Sequence, residues 1–191
     1  MQHTEILRGK LPDECKDVRL NLSAVLTGEC SLTAEQRWGT AVASAIASRN
    51  LELGRAIVLD ALIHVDAKVL EDARAAAALM AMNNVYYRFR HMVENPAYGT
   101  KRPALRMNRL GQPATNKLDF ELFSLAVSAI NGCGTCVVSH EKTVLAAGLS
   151  EDQVHDAVRI AAVLHSAAVA LEMLDLALAV DGPDAGPGRV G

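Results

Sequence analysis

Residues 116–140 read NKLDFELFSLAVSAINGCGTCVVSH. The first part, 116–130, starts polar and continues strongly apolar, which is the pattern of a helix about four turns long. Asn131 and Gly132 break it. A second helix then runs from about 133 to 147 and ends at Gly148. Two helices joined by so short a break fold back on each other. Cys133 and Cys136 lie at the start of the second helix, and His140 follows Cys136 by one turn. Glu121 is the one carboxylate among Phe120, Leu122, Phe123 and Leu125, and a tight fold-back brings it next to His140.

The pattern continues outward in both directions. DECKDVRLNLSAVL (13–26) sets Val18, Leu22, Val25 and Leu26 at helical spacing. Thr33, with Gln36 three residues on, forms a capping box for a helix that ends at Asn50. Further helices cover about 51–65 and 68–94, the latter stopping at Pro96. Residues 95–116 hold Pro96, Gly99, Pro103, Gly111 and Pro113 and read as a long irregular loop. Ser150 with Gln153 caps a last helix that continues to about 180. No stretch alternates convincingly with period two. The expected fold class is all-α, one domain over 1–180 followed by a disordered Gly/Pro-rich tail, DGPDAGPGRVG, at 181–191.

Two echoes suggest an internal duplication. Leu32-Thr33-Ala34-Glu35-Gln36 matches Leu149-Ser150-Glu151-Asp152-Gln153, and Ala81-Met82-Asn83 matches Ala129-Ile130-Asn131.

Composition narrows the class. The 191 residues suffice for a core without covalent staples. Half are hydrophobic but only 4% are aromatic, so Ala, Val, Leu and Ile must build that core, and such residues favour close-packed helices. A net charge of -3 offers nothing to nucleic acid or to an anionic membrane. MQHTEILRGKLPDE lacks the apolar segment of a signal peptide. AAVLHSAAVALEMLDLALAV (161–180) carries His165, Glu172 and Asp175 and reads as a buried or amphipathic helix rather than a membrane span. The expected compartment is the reducing cytoplasm.

In that compartment the thiol pair has three readings. Zinc would need a fourth ligand beyond Cys133, Cys136 and His140. A static bridge does not suit a reducing environment. A redox pair does, because the positive end of the helix favours a thiolate and His140 supplies a base. Cys15 and Cys30 show no sequence partner and read as core or surface thiols. His64, His91, His155 and His165 share no spacing and read as structural. Met80, Met82, Tyr86, Tyr87 and Phe89 read as core or a subunit contact. Arg88, Arg90, Arg102, Arg106 and Arg109 read as solvated or carboxylate-paired.

At these residues the sequence resembles the alkyl hydroperoxidase AhpD family, part of the carboxymuconolactone decarboxylase-like superfamily. The match rests on Phe120-Glu121-Leu122-Phe123-Ser124 and on Asn131-Gly132-Cys133-x-x-Cys136-x-x-x-His140-Glu141. KDVRLNLS (16–23), Trp38-Gly39-Thr40, MNNVYYR (82–88) and LRMN (105–108) extend it over nearly the whole chain. The resemblance implies a duplicated helical unit, a homotrimer and a thiol peroxidase acting on alkyl hydroperoxides, with no bound cofactor. It implies dihydrolipoamide, carried by a lipoyl-bearing acyltransferase and recharged by dihydrolipoamide dehydrogenase, as electron donor. It implies an AhpC-type peroxiredoxin as partner.

The same resemblance implies that Cys136 is oxidised to a sulfenic acid, and that Cys133 is the more accessible thiol, donates a proton and closes the disulfide. His140 and Glu121 form the relay that deprotonates Cys136. Thr135 departs from the family, where His often precedes the second cysteine, and leaves no cation there. One alternative is a dithiol adaptor that carries electrons from a lipoyl domain to a peroxiredoxin with little peroxidase activity of its own. A lactone-binding decarboxylase relative and a zinc-binding module are two others.

Overall fold

The computed structural model describes residues 1–180, and the tail expected at 181–191 lies outside the described residues. The order is α1 (Gln2–Lys10), a short 3-10 turn (Asp13–Cys15), α2 (Lys16–Thr27), α3 (Ala34–Ala47), α4 (Leu51–Ala61), α5 (Ala67–Met92), α6 (Pro96–Gly99), α7 (Asn108–Gly111), α8 (Lys117–Ile130), α9 (Gly134–Ala146) and α10 (Glu151–Val180). No strand occurs among the described residues, as an all-α reading requires.

Local chemistry sets the helix starts. Thr33 Oγ1 accepts the Gln36 amide at 3.2 Å while Gln36 Oε1 accepts the Thr33 amide at 3.2 Å. Ser150 and Gln153 exchange the same pair of bonds, at 2.9 and 3.2 Å. Each box satisfies amide groups that would otherwise lack a partner.

Packing centres on α3 and α8, which touch each other and are both flanked by α5 and α10. Ala41, Val42, Ala43 and Ala45 of α3 and Phe120, Leu122, Phe123 and Leu125 of α8 are fully buried. The helices come close because Gly39 has no side chain: a Cβ there would overlap the Phe123 ring. Small residues on α10 play a similar part, with Ala157, Ala161, Ala167 and Ala168 buried beside Ile160 and Leu164. By length and hydropathy residues 151–174 could cross a membrane, but 44% of the richest window is buried within the protein.

Helices α3–α4–α5 and α8–α9–α10 form two successive runs of 14, 11 and 26 and of 14, 13 and 30 residues. Each first pair is joined through one residue of positive φ, Arg49 at 62° and Gly132 at 67°. Position for position, Trp38 matches Glu121, Asn50 matches Cys133, Leu53 matches Cys136, and Ile57 matches His140. Gln36 and Asp119 also match, and Gln36 Nε2 donates to Asp119 Oδ1 at 2.9 Å. The duplicated unit is therefore in a register that neither sequence echo gives. Ala81–Asn83 lies inside the unbroken α5, and Ser150 opens the third helix of its unit while Thr33 opens the first. The echoes reflect capping chemistry that recurs wherever a helix starts.

Several boundaries also differ from expectation. Helix α1 was not legible: it is polar, and it docks because buried Asp60 accepts the Thr4 hydroxyl at 2.6 Å, the Thr4 amide at 2.8 Å and the His3 amide at 3.1 Å. The helix expected at 51–65 ends at Ala61, ahead of a turn and an Asp66 cap. The loop at 95–116 contains two single-turn helices. Its end is pinned by buried Asp72, which accepts Arg109 Nη2 at 2.9 Å and the Ala114 and Thr115 amides, each at 2.8 Å.

Candidate active site

Helix α8 is buried on nearly all sides, and Asn116 caps it by accepting the Asp119 amide at 2.8 Å. It ends at Ile130, where Asn131 and Gly132 reverse the chain. Gly132 takes the left-handed conformation that a Cβ disfavours. The Cys133 amide then donates to Ser128 O at 3.1 Å, which holds the turn closed.

Cys133 is the residue that caps α9, and Cys136 is in its first turn. The sequence expectation placed Cys133 itself in that turn, one position too far in. Both sulfurs therefore lie at the positive end of the helix, where a thiolate is favoured. They are joined as a disulfide, with Cα atoms 5.3 Å apart, inside the normal range for one.

Exposure runs against expectation. Cys133 is fully buried, while Cys136 keeps 7% of its surface exposed. Cys133 is thus not the more accessible thiol: the turn tucks the capping residue inward, and the first helical turn carries its neighbour back toward the surface.

The fold-back brings Glu121 and His140 together, as the hairpin reading expects. Glu121 Oε2 lies 2.6 Å from His140 Nδ1, and each side chain keeps only 12% of its surface exposed. The carboxylate fixes the ring through Nδ1 and leaves Nε2 for other partners. His140 sits one helical turn beyond Cys136 on α9. Among the described residues no hydrogen bond joins the ring to a sulfur.

A supporting layer went unrecognised in the sequence. Buried Asn84 donates from Nδ2 to Ser128 Oγ at 2.8 Å and accepts Asn131 Nδ2 at 2.9 Å. Arg88 donates to Asn131 O. Asn84 and Arg88 thus hold the cysteine turn from α5. Two adjacent asparagines, Asn83 and Asn84, directly after the apolar stretch AAAALMAM (75–82) were the available signal, since buried amides need partners.

The remaining candidates stand apart. Cys15 is buried, and Cys30 is half-buried with Arg37 Nε 3.3 Å from its sulfur. His64 stacks on Trp38 with ring centroids 4.6 Å apart. Met80 is core, Tyr86 and Tyr87 meet edge to face, and Phe89 is exposed. Arg109 pairs with Glu71 and Asp72, and Arg90 donates to Gly99 O. Among the described residues no group of three or more His, Cys, Asp or Glu side chains is placed to hold a metal.

A disulfide at a helix start beside a His–carboxylate pair can take up two electrons and move protons. Comparison with known proteins gives that arrangement a context. The carboxymuconolactone decarboxylase family model matches residues 96–179, which include the whole hairpin. A protein of Anaeromyxobacter dehalogenans (strain 2CP-C) named alkyl hydroperoxide reductase AhpD is 62% identical over 91% of this chain and 92% of its own length. The chain belongs to the AhpD family. Other AhpD relatives are those of Anaeromyxobacter sp. (strain Fw109-5), 59% identical over 93% of this chain and 95% of their own, and Brucella abortus (strain 2308), 50% identical over 88% and 96%. AhpD membership thus extends across both helical units, not only across the half that carries the thiols.

Proposed function

We propose that this chain is an alkyl hydroperoxide reductase that works through its Cys133–Cys136 pair. The observation that carries the reading is the Glu121–His140 contact placed one helical turn from a cysteine pair at a helix start. The names of the AhpD relatives point to the same activity.

In the reduced protein, His140 Nε2 takes the proton of Cys136, and Glu121 stabilises the imidazolium that results. The thiolate attacks the terminal peroxide oxygen. The O–O bond breaks, the alcohol leaves with a proton, and Cys136 becomes a sulfenic acid. Cys133 condenses with it, which releases water and forms the disulfide. Dihydrolipoamide then reduces the disulfide by exchange and becomes lipoamide. Electrons balance at two per peroxide, and no bound cofactor takes part. Cys136 meets the peroxide because it keeps the small accessible surface of an otherwise buried pair.

The donor is dihydrolipoamide on an acyltransferase, recharged by dihydrolipoamide dehydrogenase. An AhpC-type peroxiredoxin is the protein partner, and the cytoplasm is the compartment. A homotrimer is the assembly, and exposed Leu59 on α4 offers apolar surface for it. Exposed Leu62 and Ile63 lie at the end of α4 in the chain.

A second reading is the adaptor, which passes electrons to the peroxiredoxin with little peroxidase turnover of its own. It is favoured by exposed Thr135, which puts no charge between the cysteines. Peroxide-dependent oxidation of dihydrolipoamide by the purified protein separates the two. Turnover abolished by Cys136→Ser and by Cys133→Ser supports the peroxidase. No turnover, with the disulfide still reducible by dihydrolipoamide, supports the adaptor. A pair that neither oxidises nor reduces defeats both.

A further inference from the structure

A cleft of about 310 Å³ opens where the α3–α4 turn, the α8–α9 turn, α5 and α10 meet. Arg49, Arg88 and His165 line it, and no Asp or Glu does. Two guanidinium groups in one cleft without a lining carboxylate stand out in a chain whose net charge is -3. Ala47, Ala81, Val85 and Ile130 supply apolar wall. The uncharged polar wall is Ser48, Asn84 and Asn131, the last two already locked to the cysteine turn.

Arg49 is the telling residue. Its φ of 62° is the left-handed conformation, and its counterpart in the second unit is Gly132. Glycine would make the same turn without crowding. Glu94 and Ala104 share this conformation, but Arg49 alone of the three lines a cleft, and there its long cationic side chain stands where glycine would serve the turn. Among the described residues neither Arg49 nor His165 has a carboxylate partner. Arg88 directs one donor to Asn131 O, and a guanidinium carries five.

We propose that this cleft binds a carboxylate borne on an aliphatic chain. Planar guanidinium groups match a carboxylate with paired hydrogen bonds, and the apolar wall takes the chain. Asn131 is two residues from Cys133, so that wall of the cleft lies within about 7 Å of the Cys133 backbone. On the reading of the chain as a thiol peroxidase, the site makes hydroperoxides of aliphatic carboxylic acids the preferred substrates.

The test is titration of the full chain with octanoate, octanol and methyl octanoate, followed by calorimetry. Octanoate is expected to bind at least tenfold more tightly than either neutral analogue. Arg49→Gly is expected to weaken octanoate at least tenfold without lowering the melting temperature, because glycine suits the turn; Arg49→Lys is expected to retain part of the affinity. No octanoate binding, equal binding of octanol, or an affinity unmoved by Arg49→Gly overturns the site. The kcat/KM ratio for a carboxylated hydroperoxide over its methyl ester, expected to fall at least tenfold in Arg49→Gly, tests its role in selection. Octanoate binding without turnover of any peroxide keeps the site and rejects the peroxidase reading instead.

Discussion

Glu121 Oε2 and His140 Nδ1 stand 2.6 Å apart although they are 19 residues apart in the chain. The contact spans the α8–α9 hairpin and orients the imidazole relative to the turn that holds Cys136. Positioned acid–base groups contribute on the order of 10²–10⁴ in rate. His140→Asn is expected to slow oxidation of the reduced dithiol by peroxide by roughly 10² or more, and Glu121→Gln, which acts through His140, by less. Stopped-flow oxidation checks this, with circular dichroism to verify the helices. Parent-like rates in both variants would remove the pair from the chemistry.

The exposure of the two thiols predicts their order of reaction. Cys136 retains 7% of its surface and Cys133 none. Limiting alkylation of the reduced protein, mapped by mass spectrometry, should therefore label Cys136 first. Prior labelling of Cys133 would hand it the nucleophile's role.

Two glycines predict two different costs for one substitution. At Gly132 a Cβ has room, with Arg88 Nη1 as its nearest neighbour at 3.9 Å, so Gly132→Ala meets backbone strain alone, about 1 kcal/mol. At Gly39 the Cβ collides with a fully buried ring, so Gly39→Ala should cost about 3 kcal/mol as α3 and α8 are forced apart. Urea unfolding of both variants measures the gap, and equal losses would refute the packing argument at Gly39.

Asp60 predicts a pH dependence. Burial acts to raise its pKa, but the Thr4 hydroxyl and the Thr4 and His3 amides outweigh burial and hold the carboxyl below its ordinary value of 3.8. A depressed pKa stabilises the fold above the unfolded value, and the contribution is lost as pH falls through the lower folded value. The melting-temperature difference between the parent and Asp60→Asn should thus be constant from neutral pH down to about 4 and shrink below it. A difference that grows on acidification would reverse the assignment.

Much of this molecule is written in local signals. The α8–α9 hairpin follows from an apolar run and an Asn-Gly break, and the Glu121–His140 contact follows from the hairpin. What escaped reading depends on distance along the chain. Helix α1 is held by Asp60, more than fifty residues away, so its own polar sequence gives little sign of it. The break at Asn50 is legible, but the stretches that look repeated do not occupy matching places in the two runs, so they give the wrong register. Burial of Cys133 is decided by packing around the turn, which spacing does not encode. The cationic cleft draws its residues from four separate elements, and each arginine alone reads as a solvated charge.

The two like runs give the protein a control experiment inside its own chain. Where the second has Glu121, Cys136 and His140, the first has Trp38, Leu53 and Ile57, all three apolar. Leu53 and Ile57 are fully buried and Trp38 nearly so. These are the residues the scaffold holds at such positions when nothing reacts there. Set against them, the thiol hairpin has exchanged hydrophobic packing for reactivity at three matched points, while the silent half keeps its packing and secures the frame around it.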